Sequence, residues 1–131
     1  MKIQESAENY LETICILSGK GPVRSIDIVN MLEYTKPSVS VAMKNLRAAG
    51  HIEVDGEGGI LLTPSGRAIA QTMLERHTLI SDWLVFLGVE RETAARDACR
   101  LEHGMSEQTF AAIKRHIESR KEEVYGLGTG A

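Results

Sequence analysis

The sequence predicts a mainly α fold with a small β-hairpin wing, in which an N-terminal winged helix-turn-helix precedes a second, helical domain. Three observations predict it. Two short amphipathic segments flank a three-residue connection, Glu33-Tyr34-Thr35. Immediately after them a Gly-rich turn, Asp55-Gly56-Glu57-Gly58-Gly59, joins two short β-type runs. Further on, Ala98-Cys99-Arg100-Leu101-Glu102-His103, read as helix, puts Cys99, Glu102 and His103 at i, i+3 and i+4 on one face.

Residues 5–18 read as a helix, because Ala7, Tyr10, Leu11, Ile14 and Leu17 recur at three and four and Gly19 follows as a stop. Asn9 and Glu12 lie beside that stripe, and Cys15 reads as a small core residue. Gly19-Lys20-Gly21-Pro22 is a turn, and Val23-Arg24 a short extended piece. Ser25 is expected to cap a helix over 26–32, with Asp27 in its first turn and Ile28, Val29 and Leu32 on its buried side. The next helix, over 36–49, has Pro37 in its first turn, where a missing N–H costs little. Val39, Ala42, Met43 and Leu46 form its inner stripe, and Gly50 ends it. Ser38, Ser40, Val41, Lys44, Asn45 and Arg47 are left outside. An ordinary helical hairpin would share this pattern. A β-hairpin with arms 51–54 and 60–63 directly after it is the wing of a winged helix.

Thr63 as N-cap and Pro64 at N1 open the longest helix, which runs to about Leu87 and stops at Gly88. His77 falls within its apolar spacing of Ile69, Met73, Leu74, Ile80, Leu84 and Leu87. Trp83, Leu84, Phe86 and Leu87 make its end more apolar than a small monomer easily buries, so this end is expected to form a homodimer interface. Helices over 90–103 and 107–121 follow, the second capped by Ser106. The expected domains are 1–72, a winged helix-turn-helix, and 73–121, helical, for metal binding and dimerisation, with 122–131 a flexible tail.

Composition narrows the function classes. At 131 residues, 43% hydrophobic and 25% charged, the chain suits one domain or two small ones sharing a core. Met1-Lys2-Ile3-Gln4-Glu5-Ser6 contains no apolar signal-peptide core, and no run is long enough for a membrane span. Cys15 and Cys99 give no disulfide framework, so a reduced cytoplasmic protein is expected. The net charge of −3 does not announce nucleic acid, yet Lys20 to Arg47 holds five basic residues against two acidic. On a helix-turn-helix, that local count makes double-stranded DNA the expected partner. Arg24, Lys36, Lys44 and Arg47 are phosphate candidates, Ser25, Pro37, Ser38 and Ser40 lie at the same surface, and Val41 is placed to meet a thymine methyl. A solvated basic face is the plainer reading of those charges.

A thiolate, a carboxylate and an imidazole are all ligands of divalent metals. Three ligands rarely complete a shell, so His77, Asn9 and Glu12 are the further candidates beside Cys99, Glu102 and His103. A helix end facing water is the plainer alternative. A softer Cys99 favours Fe²⁺, Co²⁺ or Zn²⁺, whereas Glu12 and Glu102 suit Mn²⁺ or Fe²⁺. Fe²⁺ or Mn²⁺ is the expected cofactor, the choice between them open. One rival is a winged-helix regulator that needs no metal and responds to an organic ligand. Another is a winged helix used only for protein contacts. A metal-dependent hydrolase has no support, as the chain contains no nucleophile elbow, no His-Glu-x-x-His and no paired catalytic carboxylates in a loop.

The order of these elements resembles the DtxR/MntR family of iron- and manganese-dependent transcriptional repressors, from about Ser6 to Arg120. Ser6-Ala7-Glu8-Asn9-Tyr10-Leu11-Glu12, Pro37-Ser38-Val39-Ser40, Leu62-Thr63-Pro64-Ser65-Gly66-Arg67-Ala68, Arg76-His77 and Cys99 through Ser106 carry the likeness. It implies a repressor of metal-uptake genes without the family's third, SH3-like domain, and no enzyme. It also implies metal roles for Asn9, Glu12, His77, Cys99, Glu102 and His103. Cys99 matches the iron-sensing branch and Glu12 the manganese-sensing branch. Asn9 stands where the first has methionine and the second aspartate. Ser81 and Ala95 replace a carboxylate and a histidine of the iron branch's second site.

Overall fold

The computed structural model describes residues 5–120. The expected tail over 122–131 lies outside them. The order is α1 (Glu5–Ser18), α2 (Ser25–Leu32), α3 (Lys36–Ala48), β1 (Ile52–Val54), β2 (Ile60–Leu62), α4 (Pro64–Phe86), α5 (Arg91–Gly104) and α6 (Glu107–Ser119). This is a mainly helical fold with one two-stranded antiparallel hairpin. Two compact units divide within α4, between Met73 and Leu74.

The first unit is built on the apolar stripes of α1 to α3. Leu11, Ile14, Ile28 and Val39 are wholly buried, with Met43, Leu46, Ile52, Ile60 and Ala70 around them. The hairpin pairs Ile52 with Leu62 and Val54 with Ile60, which sends Ile52 and Ile60 into this core. Val23 adds one further bridge, as the Ile60 N–H donates to its carbonyl at 2.7 Å. Tyr10 meets Tyr34 edge-on, with ring centroids 5.7 Å apart, and so ties α1 to the α2–α3 turn.

One expectation is corrected here. Ser25 does not cap α2; it is the first helical residue and Arg24 is the N-cap. The cap works from inside the helix. The Asp27 carboxylate accepts the Arg24 backbone N–H at 2.9 Å, next to the positive end of the helix dipole. By contrast Thr35 caps α3 in the ordinary way, its hydroxyl accepting the Ser38 N–H at 3.2 Å.

At the foot of the hairpin, α4 starts hard against the backbone of His51. Thr63 donates its hydroxyl to the Gly50 carbonyl at 2.7 Å, and the Thr63 N–H donates to the His51 carbonyl at 3.1 Å. A Cβ on Gly66 would lie 2.0 Å from that His51 oxygen. Gly66→Ala is therefore expected to cost about 2 kcal/mol or more, because backbone on both sides must move. Urea melts of the two proteins check this, and equal midpoints would contradict the packing described.

The second unit packs the later part of α4 with α5 and α6. Leu79, Ile80, Ala98, Phe110 and Ile117 form its core, with Trp83, Leu84, Met105 and Ile113 packed on it. On α5, Ala94 and Ala98 are wholly buried. Ser106 caps α6 by accepting the Thr109 N–H at 3.1 Å. Among the described residues no helix is long and apolar enough to cross a membrane.

Candidate metal centre and nucleic-acid face

The helical spacing of α5 brings Cys99, Glu102 and His103 together, each with a ligand atom within 4.8 Å of the others. Neighbouring α4 adds His77, whose Nδ1 lies 3.4 Å from Glu102 Oε1; His103 Nε2 lies 3.8 Å from the same oxygen. Glu102 is wholly buried, and the His103 side chain is almost so. Neither Glu102 carboxylate oxygen accepts a hydrogen bond among the described residues. A buried carboxylate without a hydrogen-bond donor is costly unless a cation compensates it. The donor set of one sulfur, one carboxylate and two imidazoles fits a divalent transition metal, and the orphaned carboxylate is the observation that supports the fit.

The remaining candidates belong to the first unit. On α1, Glu12 is buried and Asn9 half-buried. In the second unit, Ser81 is also buried.

Arg76 had no role of its own in the sequence, only a place in the Arg76-His77 motif. Arg76 is 6% exposed, and its Nη1 donates to the Glu102 carbonyl at 2.9 Å and the Met105 carbonyl at 2.8 Å. The signal was available: Arg76 falls three residues after Met73 and four before Ile80, on the inner stripe of α4.

On the other unit, Lys36, Pro37, Ser38, Ser40, Val41, Lys44 and Arg47 are all exposed along α3, as are Arg24 and Ser25 on α2's entrance. Val41 is 59% exposed although apolar. Ser38 and Arg24 have local work as well. The Ser38 hydroxyl accepts that of Thr35 at 2.8 Å, and Arg24 Nη1 donates to the Glu57 carbonyl in the wing turn at 2.6 Å. That turn is held by Asp55, whose carboxylate accepts the N–H groups of Gly59 and Glu57; these hydrogen bonds keep its pKa below the ordinary aspartate value.

Residues 2–60 match the family model of the iron-dependent repressor N-terminal DNA-binding domain. Residues 63–127 match that of the iron-dependent repressor metal-binding and dimerisation domain. The chain belongs to the iron-dependent repressor family. Its members among known proteins include the transcriptional regulator MntR of Salmonella typhimurium, 34% identical over 111 residues, which are 84% of this chain and 71% of MntR. An uncharacterised HTH-type transcriptional regulator of Methanocaldococcus jannaschii is 30% identical over 125 residues, 93% of this chain and 100% of that one. Among solved structures, the manganese regulator SloR superposes with a TM-score of 0.77 at 25% identity, over 90% of this chain. The chain spans about half of SloR's length, the matched part being 55%. In this metal-dependent repressor family, the winged helix-turn-helix is the DNA-binding half and the helical unit the metal-binding and dimerising half.

Proposed function

We propose that the chain is a repressor of metal-homeostasis genes in the cytoplasm, binding operator DNA as a homodimer when loaded with Fe²⁺ or Mn²⁺. The observation that carries the metal reading is the buried Glu102 carboxylate facing His77 and His103, with Cys99 on the same helix face. His77, Cys99, Glu102 and His103 would hold the ion. Asn9 and Glu12 are the further donors in this reading, supported by the buried carboxylate that Glu12 offers from α1. A bound dication supplies positive charge and coordination bonds that the apo carboxylates and thiol lack. In this reading metal and DNA binding are linked, and each tightens the other by the same factor.

The experiment is an anaerobic titration of promoter DNA binding with Mn²⁺ and Fe²⁺. Metal-independent binding would favour the organic-ligand regulator instead. In the same assay Cys99→Glu is expected to keep the response but move preference toward Mn²⁺ relative to Fe²⁺, Co²⁺ and Zn²⁺, because a hard carboxylate replaces a soft thiolate. An unchanged metal order would remove Cys99 from the shell.

For DNA, α3 is the recognition helix of this reading, supported by its unbroken outer row of small, basic and apolar side chains. Lys44→Ala is expected to weaken binding to all sequences and lower the salt slope by about one. Val41→Ala is expected to alter preference at a single base step, since a methyl contact carries sequence information. Equal losses by both variants on specific and random DNA would show that Val41 does not read a base.

A further inference from the structure

Arg76 and His77 are consecutive on α4, yet they serve the site differently. His77 points its Nδ1 at the Glu102 carboxylate. Arg76 reaches the backbone of the same residue, donating to the Glu102 carbonyl and, with the same Nη1, to the carbonyl of Met105. Met105 is the C-cap of α5. Carbonyls in the last turn of a helix lack intrahelical donors, and a cation there also meets the negative end of the helix dipole. The guanidinium is fixed on its other side, lying 5.0 Å from the centroid of the Phe110 ring on α6. The turn so clamped is the one carrying Glu102 and His103.

We propose that Arg76 is a positioning residue for the metal centre: by bonding two carbonyls at the end of α5 while stacked on Phe110, it sets the rotamer range and spacing of Glu102 and His103. This rests on the reading of that helix face as metal-binding. Groups that orient metal ligands from behind typically change affinity roughly 10- to 100-fold when removed. Lysine does not substitute well, because an ammonium stacks poorly on a ring.

The test is metal binding by the full apo chain, wild type beside Arg76→Met and Arg76→Lys. Mn²⁺ affinity is measured, together with the visible absorption of the Co²⁺ form, at a temperature where circular dichroism shows each protein folded. Arg76→Met is expected to bind roughly 10- to 100-fold more weakly. Arg76→Lys is expected to fall between it and wild type, with a changed Co²⁺ band shape. A residue that merely supported the fold would lower the apo melting point but leave the affinity and Co²⁺ spectrum of the folded protein alone; wild-type values for both variants overturn the proposal. If Arg76→Met does not fold, Arg76→Lys decides alone, weakened binding supporting the role and unchanged binding overturning it. A wild-type chain that takes up neither ion would instead overturn the metal reading, and this inference with it.

Discussion

Glu102→Gln is expected to abolish the response to metal while leaving the apo protein at least as stable as wild type. The two effects have opposite signs because of where the carboxylate sits. It is wholly buried, neither oxygen accepts a hydrogen bond among the described residues, and its neighbours His77 Nδ1 and His103 Nε2 stand at 3.4 and 3.8 Å, long for hydrogen bonds. An amide of nearly the same shape removes the cost of burying a carboxylate whose oxygens accept no hydrogen bond among the described residues. It also removes the carboxylate donor of the Cys99, Glu102 and His103 group. Wild type with Mn²⁺ at a hundred times its Kd should gain about 2.7 kcal/mol of stability, and Glu102→Gln essentially none. His103→Ala provides the contrast. It should lose the metal response too, but its apo form should be weaker by about 2 kcal/mol, since the side chain it deletes is packed. Thermal melts with and without Mn²⁺, beside operator binding, measure all of this. A metal-dependent rise in the melting point of Glu102→Gln would end the assignment of Glu102.

The parts of this centre that could be read from sequence are those that depend on spacing alone. Cys99, Glu102 and His103 share a face because they lie within one helical turn, and no packing detail is needed to see it. The hairpin was equally legible, since a Gly-rich turn between β-type runs has few other solutions. What escaped depended on partners distant in sequence or on choices among local groups. The cap of α2 went to the Asp27 carboxylate, three residues inside, where a serine had been expected to act. Arg76 reads as a misplaced charge on an apolar stripe until its two carbonyl acceptors, 26 and 29 residues away, are seen. The end of α4 illustrates the same limit. Periodicity showed that Trp83, Leu84, Phe86 and Leu87 are apolar, but not that α5 and α6 would leave some of them partly covered and others open.

That division sharpens the proposal of a dimer surface at the end of α4. Trp83 and Leu84 pack on the core of their own unit, so Trp83→Glu would confound loss of a partner with loss of fold. Phe86 and Leu87 are 42% and 58% exposed, and a charge at either has room in the single chain. The double change Phe86→Glu, Leu87→Glu is therefore expected to leave helix content unchanged but convert a dimer into a monomer, because two carboxylates facing their own copies across a two-fold axis are repelled and desolvated together. Operator affinity should fall on the order of a hundredfold or more, since a monomer loses the gain from engaging two half-sites at once. Metal affinity should change much less, as the proposed ligands His77, Cys99, Glu102 and His103 lie elsewhere on α4 and on α5. Sedimentation over a range of concentrations reads the first effect and a binding titration the second. A variant that sediments as a dimer at wild-type concentrations would move the interface off this surface, whatever became of its DNA binding.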